Sequence, residues 1–206
     1  PAGPPEWETL RESDADFTAC TQALWRLGAG FTVEAPVTEA GNRDCGIARP
    51  VRVQTILPKV EIPGGAVMRC DTALALGRWL RDTVRPAGRL MPDRPELRAV
   101  LPGSTYQCRD RVGTAQTKMS EHALGNAFDV AGFRFEITRD GAPEVLDLPV
   151  TPRQDSGDMA EAFQRAVRGA ACLYFTTVLG PGSNAAHDDH LHLDIRARNG
   201  GFRLCQ

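Results

Sequence analysis

The stretch NAAHDDHLHLDI, residues 184–195, holds three of the chain's four histidines, at positions 187, 190 and 192, interleaved with Asp188 and Asp189 and followed by Asp194. The fourth, His122, lies in SEHALGNAFDV (120–130), with six residues between it and Asp129. Imidazole and carboxylate are ligands that zinc takes, and a catalytic zinc site uses three such ligands and keeps one position open. Side chains alternate between faces along a strand. Read as strand, HLHLDI sends His190, His192 and Asp194 to one face and Leu191, Leu193 and Ile195 to a core, with His187 in the loop that enters it. Gly125 and Asn126 permit a turn. Beyond it Ala127 and Asp129 begin a second strand, with Phe128 and Val130 facing inward. A loop followed by a strand can bring His122 and Asp129 to one point, where one of the strand histidines completes a three-ligand set.

These motifs resemble known ones. SEHALGNAFDV is similar to the S-x-H-x-x-G-x-A-x-D signature of the zinc peptidases that include D-Ala-D-Ala carboxypeptidases, vancomycin-resistance D,D-dipeptidases and penicillin-insensitive murein endopeptidases. HDDHLH resembles the H-x-x-H-x-H of the murein endopeptidases. More closely, the chain resembles the bacterial extensin-like C-terminal family, a relative of that group, from residue 16 to the end. That resemblance rests on YQCR (106–109), SEHALGNAFDVAGF (120–133), VLGPGSNAAHDDHLHLDI (178–195) and the cysteine positions.

Carried over by position, the resemblance implies zinc held by His122, Asp129 and His192, with His190 beside the open position. His187 supports the ligands or contacts substrate. Asp189 stands three residues before His192, the offset at which the dipeptidase relatives carry their general base. Strand alternation turns it away from His192, so two candidates for the base remain, His190 ahead of Asp189. Arg109 would stabilise an oxyanion or hold a substrate carboxylate, with a surface salt bridge as the plain alternative, and Ser120 would cap or orient the turn carrying His122. The implied reaction is hydrolysis of an amide bond in peptidoglycan stem peptides or cross-links, as a D,D- or L,D-endopeptidase. The rivals are a non-catalytic wall-binding module that keeps the metal site, a structural metal site, and a lysostaphin-like zinc endopeptidase. The last has a first histidine and aspartate spaced more closely than His122 and Asp129.

The elements that must position these groups read as a single domain over 13–206, after an extended Pro-rich segment at 1–12. A chain of 206 residues can bury a core of its own. A formal charge of −2 gives no general pull toward nucleic acid, and no apolar run is long enough to span a bilayer. Cys20, Cys45, Cys70, Cys108, Cys172 and Cys205 form no C-x-x-C pair. Dispersed and even in number, they fit three disulfides and an exported, periplasmic or wall-associated protein. Closure of local loops favours the pairing Cys20–Cys45, Cys70–Cys108 and Cys172–Cys205. The opening PAGPPEW reads as a trimmed start from which an export signal has been removed.

Ser13 or Asp14 caps a helix through Leu27, Asp71 caps a second to Val84 before Pro86, and a third covers 157–170. Strands are expected at 31–36, 51–56, 126–139 with a return strand after the Asp140-Gly141 turn, 172–180 and 190–197. Residues 86–104 read as a long surface connection. The pattern predicts an α+β fold with a largely antiparallel sheet and flanking helices, resembling the zinc D-Ala-D-Ala peptidase and murein endopeptidase fold.

Overall fold

A computed structural model describes residues 3–111, 118–152 and 157–206. In chain order its elements are α1 (Glu6–Thr9), α2 (Asp14–Arg26), β1 (Gly30–Val33), β2 (Val37–Thr38), β3 (Gly46–Ile47), β4 (Pro50–Leu57), β5 (Val60–Arg69), α3 (Cys70–Trp79), α4 (Arg85–Gly88), β6 (Glu96–Pro102), β7 (Ala127–Arg139), β8 (Ala142–Pro149), α5 (Asp158–Ala171), β9 (Thr177–Leu179), β10 (Leu191–Asp194) and β11 (Leu204–Cys205). One nine-stranded sheet runs β1-β4-β5-β6-β7-β10-β9-β11, with β8 also on β7. Its pairs are antiparallel except β5 with β6 and β9 with β11. The fold is α+β with a mostly antiparallel sheet, as the sequence predicts.

Strand β7 organises the molecule. On one side it pairs with β6. On the other, its first residues take β10 (His192 opposite Asp129) and its later ones form the hairpin with β8. The register steps from Leu101 opposite Gly132 to Pro102 opposite Val130, leaving Ala131 as an extra residue. Such a bulge shifts the alternation by one. Phe128 and Val130 before it, and Phe133, Phe135 and Ile137 after it, are therefore all buried. Leu191 and Leu193 of β10 join the same core. Trp79 packs against Phe133 at 5.9 Å between ring centroids and donates from its indole to the Val167 carbonyl of α5, and Phe163 of α5 meets Phe133 edge-on. With one face of β7 and β10 committed to this core, Asp129 and His192 must point to the other.

Several expectations are corrected. A helical turn, Glu6–Thr9, stands within the segment expected to be extended, seeded by Pro5 and two first-turn glutamates, while Trp7 donates to the Arg43 carbonyl. Residues 1–2 of that segment lie outside the described residues. Helix α2 is capped by the Ser13 side chain as expected. Helix α3 starts one residue before Asp71, which serves instead as a first-turn acid favourable to the helix dipole. The chain also stays helical past Pro86. A π-turn at Leu80–Val84 lets the Arg85 amide bond back to the Leu80 carbonyl, so the amide that Pro86 lacks falls where the ladder is already shifted. The expected surface connection contains β6, with Leu97, Ala99 and Val100 buried. Strand β5 is a further element that the pattern concealed, interrupted by Pro63-Gly64-Gly65 at a register shift against β4. The strand expected at 172–180 is regular only at Thr177–Leu179.

Two of the three expected disulfides are also corrected. The pairs are Cys20–Cys70, Cys45–Cys108 and Cys172–Cys205. Local closure fails because α2 packs on the start of α3, with the β4–β5 hairpin spanning the sequence between them. The two longer links close loops with sequence separations of 50 and 63. Loops of that size contribute roughly 4 kcal/mol each in the chain-entropy account. Non-reducing peptide mapping of the native protein is expected to return these three pairs and no free thiol. Recovery of a Cys20–Cys45 peptide would contradict the packing of α2 on α3. No helix among the described residues is long and apolar enough to cross a membrane.

Candidate metal centre and its cleft

His122 reaches the site from a 3-10 turn, Glu121–Leu124, between β6 and β7. The Ser120 side chain accepts from the His122 amide, and the turn closes at Gly125 in the left-handed region, φ 68°. A Cβ there would lie 2.5 Å from Ile47 Cδ1 and 3.1 Å from the Arg69 amide nitrogen. The Gly125 carbonyl accepts from that amide and from the Thr72 hydroxyl. Gly125→Ala is therefore expected to cost about 2–4 kcal/mol, from left-handed strain and overpacking together. Urea unfolding measures it, and a variant as stable as the parent would show that the turn has another backbone path available.

Asp129 and His192 face each other across the β7–β10 ladder, and the turn brings His122 over them. His122 Nε2, His192 Nδ1 and Asp129 Oδ1 form a near-equilateral triangle with sides of 3.0, 3.1 and 3.2 Å. Ligands bound at zinc's usual lengths of about 2.0–2.1 Å in a tetrahedron stand about 3.3 Å apart, so the triangle matches one face of such a shell. These three side chains could hold a metal ion.

The remaining ring nitrogens strengthen that fit. His122 Nδ1 donates to the Thr105 carbonyl at 2.7 Å, and His192 Nε2 donates to Asp194 Oδ2 at 2.8 Å. Both partners are acceptors only, so both tautomers are fixed with a lone pair aimed at the triangle. A carboxylate or carbonyl behind each imidazole is the usual support of a histidine metal ligand. Thr105 is placed by Gly103 and Ser104, which hydrogen-bond to the Asp129 backbone, and by the Cys45–Cys108 link just beyond.

Without a cation, two lone pairs and an anionic oxygen converge in a buried place. His122, Asp129 and Asp194 are only 1–3% exposed. Burial alone would raise the Asp129 carboxyl, but its hydrogen bonds to His122 and His192 outweigh it and hold the group well below the usual carboxylate range. Burial would lower the His192 imidazole, yet Asp129 and Asp194 raise it to about 9. The centre thus demands positive charge, which a proton or a metal can supply.

A cleft of about 390 Å³ opens onto the triangle. His190 stands on its wall, just before β10. Its Nδ1 donates to Asp189 Oδ1 at 2.8 Å, while Nε2 lies 3.6 Å from Asp129 Oδ2. Asp189 itself points outward, its side chain 92% exposed. His187 donates from Nδ1 to Asn184 Oδ1, with its ring 5.2 Å from that of His190 and 5.8 Å from that of His192. Burial, with His192 and His190 nearby, lowers its pKa. Arg109 lines the same cleft but is hydrogen-bonded to Gln107 and the Asp110 carbonyl.

Sequence reasoning missed Glu121, Arg111, Asn126 and Arg196. Glu121 is 7% exposed, accepts from Arg111 at 2.8 Å and from Asn126 at 2.9 Å, and lies 3.6 Å from Arg196. Asn126 in turn accepts from Arg69, which pairs with Glu12. The missed signal was the pairing of a charged residue with a buried position inside SEHALG. Nothing local in the sequence reveals the arginines that make Glu121's burial tolerable.

A family model described as "Extensin-like protein C-terminus" matches residues 18–206. No curated protein and no solved structure matches the chain.

Proposed function

The chain belongs to the extensin-like protein C-terminal family, and from that membership and the chemistry of its cleft we propose that it is a zinc-dependent peptidase hydrolysing an amide bond in peptidoglycan stem peptides or cross-links. One observation carries the reading. Two imidazole lone pairs and a carboxylate oxygen converge at 3.0–3.2 Å with their outer nitrogens already tied, beside a third imidazole that is not among the converging three. A structural metal site closes its shell with protein ligands, whereas among the described residues this set stops at three. The likeness of SEHALGNAFDV and HDDHLH to peptidoglycan-cleaving zinc enzymes supports the substrate, and three disulfides are compatible with an exported protein.

His122, Asp129 and His192 would hold the zinc, whose contribution when bound is Lewis acidity toward the scissile carbonyl and the attacking water. His190 is the general base. With Nδ1–H given to Asp189, its Nε2 faces the cleft with a free lone pair, takes the proton from the nucleophile and returns it to the leaving amine. Asp189 holds that tautomer from outside. The lowered pKa of His187 keeps a second neutral imidazole beside His190, available to hydrogen-bond the substrate.

The test is metal analysis paired with digestion of purified peptidoglycan. The expected result is one zinc per chain, new muropeptides by mass spectrometry, and loss of both on chelation. Stoichiometric zinc with unchanged sacculi would leave a wall-binding module instead, and absence of zinc would overturn the centre itself.

A further inference from the structure

The cleft has a second half whose residues the metal centre does not use. The lining of the whole cleft includes four arginines, Arg109, Arg111, Arg196 and Arg198, against three carboxylates, Glu121, Asp129 and Asp194. Each carboxylate is already engaged: Asp129 by the two histidines, Asp194 by His192 and the Arg196 amide, and Glu121 by Arg111, Arg196 and Asn126. The lining therefore carries an excess of positive charge even before a divalent cation is added, and such a cleft attracts anions.

The arginines are not equivalent. Arg198 donates to the Thr176 carbonyl and the Thr177 hydroxyl, and Arg109 to Gln107 and the Asp110 carbonyl. Arg111 is anchored by the Met119 carbonyl and Glu121. Arg196 approaches Glu121 with Nε at 3.6 Å, beyond hydrogen-bond distance, and its side chain is 36% exposed. Among the described residues its terminal nitrogens have no partner. A buried carboxylate that holds one guanidinium firmly and a second loosely leaves a planar fork of donors facing the cleft, the geometry that grips a carboxylate.

Position gives the distance. Strand β10 ends at Asp194, and one residue further the Ile195 amide donates to the Asn126 carbonyl. His190, His192, Asp194, Arg196 and Arg198 all line the cleft at every second residue. Arg196 stands four residues beyond His192, a span of at most about 13 Å along the backbone. A substrate lying beside this strand would place a group two to four residues from the amide held at the histidines against Arg196.

We infer that Arg196, supported by Glu121 and Arg111, is a carboxylate-binding subsite that selects peptides carrying a free carboxylate two to four residues from the scissile amide. The inference rests on the peptidase reading and narrows its substrate to stem peptides whose internal carboxylates are not amidated.

The experiment compares two fluorescein-labelled peptides that both end in D-alaninamide, L-Ala-γ-D-Glu-meso-diaminopimelyl-D-Ala-NH2 and the same peptide with both internal carboxylates amidated. Binding is followed by anisotropy to the zinc-loaded protein and to its Arg196→Gln variant, both carrying His190→Ala so that turnover does not interfere. The acidic peptide is expected to bind the parent about tenfold to a hundredfold more tightly than the amidated one, the scale of a charged hydrogen bond lost. Arg196→Gln should erase that difference by weakening the acidic peptide alone, while Arg196→Lys should restore part of it. Equal binding of both peptides by the parent, or equal weakening of both by Arg196→Gln, overturns the subsite and leaves the peptidase reading standing. Binding of neither, with no digestion of sacculi by the unmutated protein, overturns both.

Discussion

His122→Ala is expected to abolish stoichiometric zinc binding at low micromolar metal while the protein stays folded. The triangle loses one of three ligands. Even disturbing a group behind a ligand costs 10–100-fold in metal affinity, so removing the ligand itself should exceed about 10²-fold. Asp194→Asn, which reaches the metal site only through the far nitrogen of His192 and otherwise accepts from the Arg196 amide, should fall within that smaller range. The choice of His122 over His192 matters. After His122→Ala, Asp129 still has His192 at 3.0 Å, and His192 still has Asp194 at 2.8 Å. After His192→Ala, two buried carboxylates lose their shared imidazole at once, Asp129 keeping His122 and Asp194 only the Arg196 amide, and breaking such a buried pair costs up to about 3–5 kcal/mol. His192→Ala should therefore lose metal and stability together, whereas His122→Ala should lose mainly metal. Elemental analysis after dialysis, with circular dichroism and thermal unfolding of both variants, separates the two. A folded His122→Ala protein that keeps one zinc per chain would remove His122 from the centre.

What the sequence disclosed here followed from periodicity and from short-range chemistry. The alternation of HLHLDI is enforced by a core that needs Leu191 and Leu193, so the opposite face was readable without the fold. The pairing of Asp129 with His192 was not, because register depends on which strands become neighbours, and β10 joins β7 across more than fifty residues of hairpin, helix and turn. Strand β5 hid behind Pro63-Gly64-Gly65, and β6 behind a Pro-, Gly- and Arg-rich neighbourhood. In both cases local punctuation marks a bulge or a flank, while partners on either side supply the ladder. Two of the three expected cysteine pairs failed for a related reason, while Cys172–Cys205 held. Loop-closure entropy grows only slowly with length, so tertiary packing of α2 on α3 outweighs the small advantage of a shorter loop. The glutamate of SEHALG illustrates a last kind of blindness. Its burial depends on Arg111, Arg196 and Asn126 together, and only the fold assembles them.

His190→Ala is expected to keep the metal and lose hydrolysis of cross-linked peptidoglycan by about 10²-fold or more, the scale of a missing general acid–base group. His190 Nε2 lies 3.6 Å from Asp129 Oδ2 but is not one of the three converging ligand atoms, so the ligand set survives its removal. Asp189→Asn is the informative partner. Asp189 points to solvent and meets the cleft only through His190 Nδ1, and an asparagine carbonyl can accept that same N–H. If Asp189 acts by orienting His190, the amide should preserve most of the activity, and Asp189→Ala should lose more than Asp189→Asn because it removes the acceptor. If Asp189 were itself the base, the amide would be as inactive as the alanine, since neither can take a proton, and His190→Ala would remain comparatively active. Turnover of the three variants at saturating zinc decides between these patterns. An inactive Asp189→Asn beside a working His190→Ala would mean that the backbone at 188–190 rearranges to swing Asp189 into the cleft, with His190 outside the proton transfer.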